Sequence, residues 1–188
     1  MKKGILLILT GASSVGKGDI RDLLMEDDDL HLFYSISMTT RPKREDEIDG
    51  KDYYFVDYEA FAQAVRNKDL LEFAEFDGYY YGTPRKQVDF LLNSGKNVLI
   101  EVEAQGVGQI KLKHPDAVSV FVMPESIEEL EKQIRLRYND EASAKRRISK
   151  ASVEMELASL FVHQVKNTDP KQAAEQIKSY VQEALGKE

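Results

Sequence analysis

The sequence predicts an α/β fold: a parallel sheet core flanked by helices, with a small α+β lobe inserted into it. Three observations carry this expectation. Continuous apolar or β-branched runs recur at residues 5–9, 97–102 and 117–123, with a shorter one around 162–165, and strands apolar on both faces belong to sheets covered on both sides. Helical patterns lie between these runs, an alternation that builds parallel sheets. From about 37 to 95 that rhythm gives way to short, aromatic, turn-rich pieces.

Taken in order, the chain begins with two lysines, Lys2 and Lys3, and the apolar run Ile5-Leu6-Leu7-Ile8-Leu9. This imitates a secretory leader, but the run stops at Thr10-Gly11, short of the ~7–15 residues of a leader core and the ~18 of a membrane span. It reads as a buried strand, and a cytoplasmic location is expected. After it, a helix is expected from Ile20. In the irregular segment, Tyr53-Tyr54-Phe55-Val56 and the run from Leu70 to Phe76 read as strands, with a helix near 57–68 between them. Asp77-Gly78 between two aromatic runs is a hairpin signal, so the lobe is expected to be antiparallel. Ser126-Ile127-Glu128-Glu129 is a capping box opening a helix through about Arg137. Asp169-Pro170 starts the last helix, with Pro at its first position. From there Ala173, Ile177, Tyr180, Val181, Ala184 and Leu185 recur on one face.

Composition excludes several kinds of chemistry. Of 188 residues, none is Cys, which removes disulfides, thiolate zinc and cysteine nucleophiles, and only three are His, scattered at 31, 114 and 163. The formal charge of −7 argues against a general nucleic-acid surface, which would carry a basic excess. With 42% hydrophobic residues, a chain this long buries a full core.

The chemistry starts immediately after the first strand. Gly11-Ala12-Ser13-Ser14-Val15-Gly16-Lys17-Gly18-Asp19 fits G-x-x-x-x-G-K between a strand and a helix. Glycines let successive backbone N–H groups curl around phosphate oxygens, the helix N-terminus adds its positive end, and Lys17 reaches the β and γ phosphates. Gly18 stands where a Ser or Thr hydroxyl usually meets Mg²⁺. Asp19, in the first helical turn, is either a carboxylate favoured by the helix dipole or an indirect, water-bridged contact to Mg²⁺; no residue is assigned as a direct metal ligand. A second basic group, Arg41-Pro42-Lys43-Arg44, can present two guanidinium forks to one phosphate, with Tyr53 and Tyr81 as neutral donors.

At this point the chain resembles the guanylate kinases, in the nucleoside monophosphate kinase group of P-loop proteins. The likeness runs from the phosphate loop to the last helix. Its most specific parts are Ser37 through Arg44, Gly50-Lys51-Asp52-Tyr53, Leu71-Glu72-Phe73-Ala74, Tyr80-Tyr81-Gly82-Thr83 and Glu101-Val102-Glu103-Ala104-Gln105-Gly106. The resemblance implies transfer of the γ-phosphoryl of ATP to GMP, with Mg²⁺ accompanying ATP. It implies one domain with a core at about 1–36, 96–136 and 148–188, a GMP-binding lobe at about 37–95 and a lid at about 137–147. It places GMP at Ser37, Arg41, Arg44, Tyr53, Glu72, Tyr81, Thr83 and Glu103, lid arginines at Arg137 and Arg147 beside Lys17 as catalytic groups, and Asn167 on the adenine side of ATP.

The hydrogen-bonding edge of guanine suits that set. Its N1–H and exocyclic amine are adjacent donors that one carboxylate, Glu72, can accept, with Glu103 near the amine and Ser37 or Thr83 donating to O6. Adenine would set a lone pair against the carboxylate. The chain departs from the usual family pattern at Gly18-Asp19, at Glu103 in place of Asp, at Gln133 in place of Arg, and in a lid without a Gly-Arg-Gly turn. Two other readings stay open at this stage: a P-loop kinase for a different phosphorylated acceptor, such as a ribose bisphosphate, and a non-catalytic guanylate-kinase-like binding module. The expected partners are ATP and GMP, with no nucleic acid or membrane, as a monomer or a homodimer. Lys17, Arg41, Arg44, Arg137 and Arg147 are expected to converge on one cleft, with the acidic excess elsewhere, as in Glu26-Asp27-Asp28-Asp29 and Glu128-Glu129.

Overall fold

The structure is a computed structural model that describes residues 2–138 and 140–186. Met1, at the lysine-led N-terminus, and Asn139, in the expected lid, lie outside the described residues. The elements follow in order as β1 (Leu6–Gly11), α1 (Lys17–Met25), β2 (Leu32–Tyr34), β3 (Met38–Thr39), β4 (Tyr54–Phe55), α2 (Tyr58–Arg66), β5 (Leu70–Phe76), β6 (Tyr79–Pro84), α3 (Arg85–Asn93) and β7 (Asn97–Glu101). A 3-10 turn at Ala104–Gly106 leads to α4 (Val107–Lys111), β8 (Val118–Pro124), α5 (Ile127–Arg137), α6 (Glu141–Glu156), β9 (His163–Asn167) and α7 (Pro170–Leu185).

The fold is the expected one, α/β with a parallel sheet core flanked by helices. Five strands form a sheet in the order β2-β7-β1-β8-β9, with β2 parallel to β7 and β8 parallel to β9. All of β1 is buried, and Leu7, Ile8 and Leu9 are sealed from solvent, which is why this segment reads as an unbroken apolar run. A second sheet of four strands runs β4-β3-β6-β5.

Contacts divide the chain into two compact units. The first comprises the N-terminal stretch through Ile8 together with Leu32–Ala117. Its core gathers Leu71 of β5, Val88 and Leu92 of α3, Val98, Leu99 and Ile100 of β7, and Ile110 of α4, all fully or nearly fully buried. The second comprises Leu9–His31 and the chain from Val118 onward. There Ile20 and Leu24 of α1, Val120, Phe121 and Val122 of β8, Val165 of β9, and Ile177 and Val181 of α7 are buried, and the Phe121 ring lies 5.2 Å from that of Phe161.

The lobe sheet corrects one expectation. It is mixed rather than antiparallel, because β3 pairs in parallel with β4 while β6 runs antiparallel to both β3 and β5. The β5–β6 hairpin does turn at Asp77-Gly78, both at positive φ (54° and 78°), as a two-residue primed turn requires. A second correction concerns α1. It starts at Lys17 rather than Ile20, since Gly16 is left-handed and the helix begins on the next residue. No helix among the described residues is long and apolar enough to cross a membrane.

Candidate functional site

Residues of the second unit build a phosphate loop. The chain leaves β1 at Gly11 (φ 148°), where a side chain would press into the Val122 backbone, and enters α1 through Gly16 (φ 86°), where a Cβ would come 2.7 Å from Asn167 Nδ2. Both conformation and space therefore require glycine at these two ends. Between them Ser14 also takes positive φ, and Val15 N–H donates to Ala12 O at 3.3 Å. Lys17 Nζ donates to Gly11 O at 2.9 Å and Ala12 O at 3.0 Å, so the ammonium lies folded along the start of the loop. Gly18 offers no hydroxyl, and the Asp19 carboxylate is exposed in the first turn of α1.

Asn167, at the end of β9, is tied to this loop. Its Nδ2 donates to Val15 O at 2.8 Å, while its Oδ1 is buried with no hydrogen-bond partner among the described residues. A buried acceptor without a donor is costly, and Asn167 is among the residues that line a cavity of about 270 Å³, with Gly16, Pro124, Glu129, Gln133 and Thr168. Gln133 Nε2 donates to Glu129 Oε1 at 2.8 Å on the wall of that cavity. Arg137 is exposed at the end of α5, and the Arg147 guanidinium on α6 stands 5.4 Å from the centre of the Tyr138 ring. The first helical turns of α6 hold most of the expected lid: Asp140 caps them by accepting from Ser143 N–H at 2.7 Å.

The first unit assembles a second set. Glu72 of β5 is only 5% exposed, and its Oε1 accepts from the Thr83 hydroxyl of β6 at 2.7 Å. Burial pushes the Glu72 carboxyl up to about 7, the Thr83 hydrogen bond opposes that rise, and the charge of Glu103 adds to it. Room for the carboxylate comes from Gly106, where a Cβ would sit 2.5 Å from Glu72 Oε2. Ser37 adjoins β3, whose Met38 pairs with Gly82, next to Thr83. In this structure the Thr83 hydroxyl is committed to Glu72.

The basic pair is arranged differently from two forks on one phosphate. Arg41 is locked to Glu47 by two bonds, Nη2 to Oε1 at 2.6 Å and Nη1 to Oε2 at 3.0 Å, and both side chains are nearly buried, at 13% and 12% exposure. That bond holds Arg41 above its ordinary value and Glu47 below its own. The Arg41 guanidinium also stands 5.6 Å from the centre of the Tyr53 ring, which meets Tyr81 edge-on at 6.0 Å. Burial raises the Tyr53 phenol to about 12, so it remains a neutral donor. Arg44 contributes its backbone N–H to Glu47 Oε2 at 2.8 Å, and its side chain is exposed. Glu47 escaped the sequence reading; its only signal was a carboxylate three residues beyond Arg44. Glu154 escaped it too: its Oε2 accepts from the Ser13 N–H at 2.7 Å, across 141 residues of chain.

The arrangement can hold a polyphosphate at the loop and, separately, a base whose adjacent donors face a buried carboxylate. The implied Mg²⁺ finds little protein in its support: Gly18 lacks the hydroxyl, Asp19 is a lone exposed carboxylate, and no group of three or more His, Asp or Glu among the described residues could hold a metal. Oxygen atoms of the polyphosphate itself are the donors such an ion would have here.

Comparison with known proteins points in one direction. The sequence model of the family Guanylate kinase matches residues 3–184. The chain is 43% identical to a guanylate kinase of Mycoplasma mycoides subsp. mycoides SC over 178 residues, covering 94% of this chain and 60% of that relative. It is 40% identical to a guanylate kinase of Latilactobacillus sakei subsp. sakei over 181 residues, covering 96% of this chain and 89% of that one. Among solved structures, guanylate kinase from Anaplasma phagocytophilum superposes with a TM-score of 0.80 at 28% identity, over 97% of this chain and 87% of the other. The chain thus spans 60% of the length of the Mycoplasma relative and most of the others.

Proposed function

The chain belongs to the guanylate kinase family, and from that premise we propose that it transfers the γ-phosphoryl group of ATP to GMP, giving ADP and GDP. The observation that carries the reading is the buried Glu72 carboxyl, held by Thr83 in a chain that also carries a phosphate loop with Lys17. A carboxylate buried at this depth needs donors, and guanine offers two side by side. A sugar phosphate could offer only hydroxyls there, and the family match does not favour it.

In this reading GMP is bound by Ser37, Arg41, Arg44, Tyr53, Glu72, Tyr81, Thr83 and Glu103. Arg41 receives the phosphate in partnership with, or in exchange for, Glu47, and the Tyr53 and Tyr81 hydroxyls donate to it. The loop from Gly11 to Asp19 wraps the polyphosphate of ATP, and the unpartnered Asn167 Oδ1 accepts from the exocyclic amine of adenine, a donor that guanine lacks at that position. The nucleophile is an oxygen of the GMP phosphate, already anionic, so no general base is required. It forms a bond to the γ phosphorus as the bond to the ADP oxygen breaks. Lys17, Arg137 and Arg147 take up charge on the phosphoryl group in flight. Mg²⁺, carried by ATP, would neutralise phosphate charge. A cytoplasmic location, where both nucleotides are available, accompanies this reading.

Incubation of the purified protein with ATP, Mg²⁺ and GMP is expected to yield ADP and GDP far faster than with AMP, CMP or UMP. Absence of GMP-dependent ADP release would overturn the proposal. Lys17→Ala is expected to lower kcat by at least about 10²–10³-fold with an unchanged circular dichroism spectrum; a smaller loss would remove Lys17 from the transfer step.

A further inference from the structure

Glu154 is a buried carboxylate that the transfer reading leaves without a task. It lies on α6, is 7% exposed, and both of its oxygens have defined neighbours. Oε2 accepts from the backbone N–H of Ser13, the third residue of the phosphate loop, at 2.7 Å; Oε1 lies 3.5 Å from Lys150 Nζ, one helical turn earlier. Burying a carboxylate is unfavourable unless donors and an opposite charge compensate it. Here the donor belongs to the loop and the charge to the helix.

Position along α6 gives this contact a consequence. Arg147, Ala151 and Glu154 are spaced by four and three residues, which sets them on one stripe of the helix. Arg147 and Glu154 are two turns apart on one rigid element, roughly 10 Å along its axis. A bond that fixes Glu154 to the loop therefore also fixes where α6 carries Arg147. Lys150, beside Glu154, offsets a negative charge that would otherwise repel an incoming polyphosphate.

We propose that Glu154 is a positioning residue: its carboxylate clamps the first half of the phosphate loop to α6 and thereby sets Arg147 against the phosphates the loop binds. The proposal rests on the kinase reading of this same loop and adds to it the residue that couples loop to helix. α6 has other support, from its Asp140 cap and the buried Ala144 and Ala151, so removing the clamp loosens the coupling before it unfolds the helix.

Steady-state kinetics and ADP calorimetry on the wild type, Glu154→Ala and Glu154→Gln test this. Glu154→Ala, which leaves the Ser13 N–H without its acceptor, is expected to raise KM for ATP and lower kcat, each about tenfold, with KM for GMP within about twofold. Glu154→Gln keeps an acceptor oxygen and is expected to restore KM for ATP to within about threefold of the wild type. A silent Glu154→Ala, a Glu154→Gln as impaired as the alanine variant, or a parallel rise in both KM values overturns the clamp. Should the alanine variant fail to fold, amide hydrogen exchange decides: Ser13 is expected to be protected in the wild type and in Glu154→Gln, and exchange at the rate of exposed amides in the wild type overturns the proposal. ADP binding needs no phosphoryl transfer, so the two readings fail separately. A Glu154-dependent ADP affinity in a protein that does not phosphorylate GMP removes the kinase reading alone. An active kinase indifferent to Glu154 removes the clamp alone.

Discussion

The chemistry of Glu72 is set by its burial in the first unit and by its bond to Thr83. Its carboxyl is raised to about 7 by burial, whereas guanine donors would favour the carboxylate, so on the proposed function GMP binding would be coupled to loss of a proton. KM for GMP is therefore expected to be flat above about pH 7 and to rise roughly tenfold per unit below it; a profile level from pH 6 to 8 would remove Glu72 from the base site. The same shift acts on stability with the opposite sign. The folded carboxyl binds its proton more tightly than the unfolded one, so between about pH 4.5 and 7 the empty protein loses stability as pH rises, by an amount on the order of 3 kcal/mol. Glu72→Gln is expected to abolish that slope and raise Tm at pH 8, while raising KM for GMP about 10²-fold through loss of charge-assisted bonds. Glu72 could be singled out from sequence as the candidate base-reading residue, because Leu71-Glu72-Phe73-Ala74 is a specific stretch. Its titration was not legible, since burial depends on the Thr83 contact across the hairpin and on Gly106 leaving space. The Arg41–Glu47 pair was hidden for a related reason: six residues of irregular loop carry no period from which a contact can be read.

At the level of elements, legibility followed length and capping chemistry. Ser126 does accept from Glu129 N–H at 3.1 Å, Asp169 from Lys171 N–H at 3.0 Å, and α5 and α7 begin where those residues predict. The three-residue β2, the two-residue β3 and the five-residue α4 are too short to establish a period, and α3 follows Pro84 without any side-chain cap. The start of α6 reads as a lid because its polar sequence lacks an apolar stripe, although Asp140 supplies the cap. Asp140→Ala is expected to cost about 1 kcal/mol, seen as a Tm lower by ~2–4 °C; an unchanged Tm would mean the first turn of α6 adds nothing to the folded state. The phosphate loop is sensitive to a single methyl group. Gly16→Ala forces a side chain into a left-handed backbone and against Asn167 Nδ2, and is expected to weaken ATP binding while leaving GMP binding intact. Equal loss of both would show instead that the whole fold had suffered.

For the whole molecule, the proposed function assigns one ligand to each of the two compact units. The loop from Gly11 to Asp19, Arg137, Arg147 and Asn167 fall in the second unit, and Ser37, Arg41, Arg44, Tyr53, Glu72, Tyr81, Thr83 and Glu103 fall in the first. A formal charge of −7 is compatible with two anionic ligands because each unit keeps its own cations at its own set, Lys17 in one and Arg41 in the other. Part of the acidic excess is used elsewhere, as where Asp27 and Asp29 both hold Lys178, at 2.7 and 2.8 Å. This division predicts how protection should distribute. ADP alone is expected to slow amide exchange in the phosphate loop and at the start of α1, and GMP alone to slow it in β5, β6 and the 41–47 loop. Each ligand at about a hundred times its dissociation constant stabilises the fold by ~2.7 kcal/mol, or roughly 5–10 °C in Tm for a chain of this size. The unreactive pair ADP plus GMP should approach the sum of the two shifts if the sites are independent, and exceed it if occupation of one organises the other. Protection by GMP confined to the phosphate loop would contradict the assignment of ligands to units, because GMP would then be occupying the ATP site.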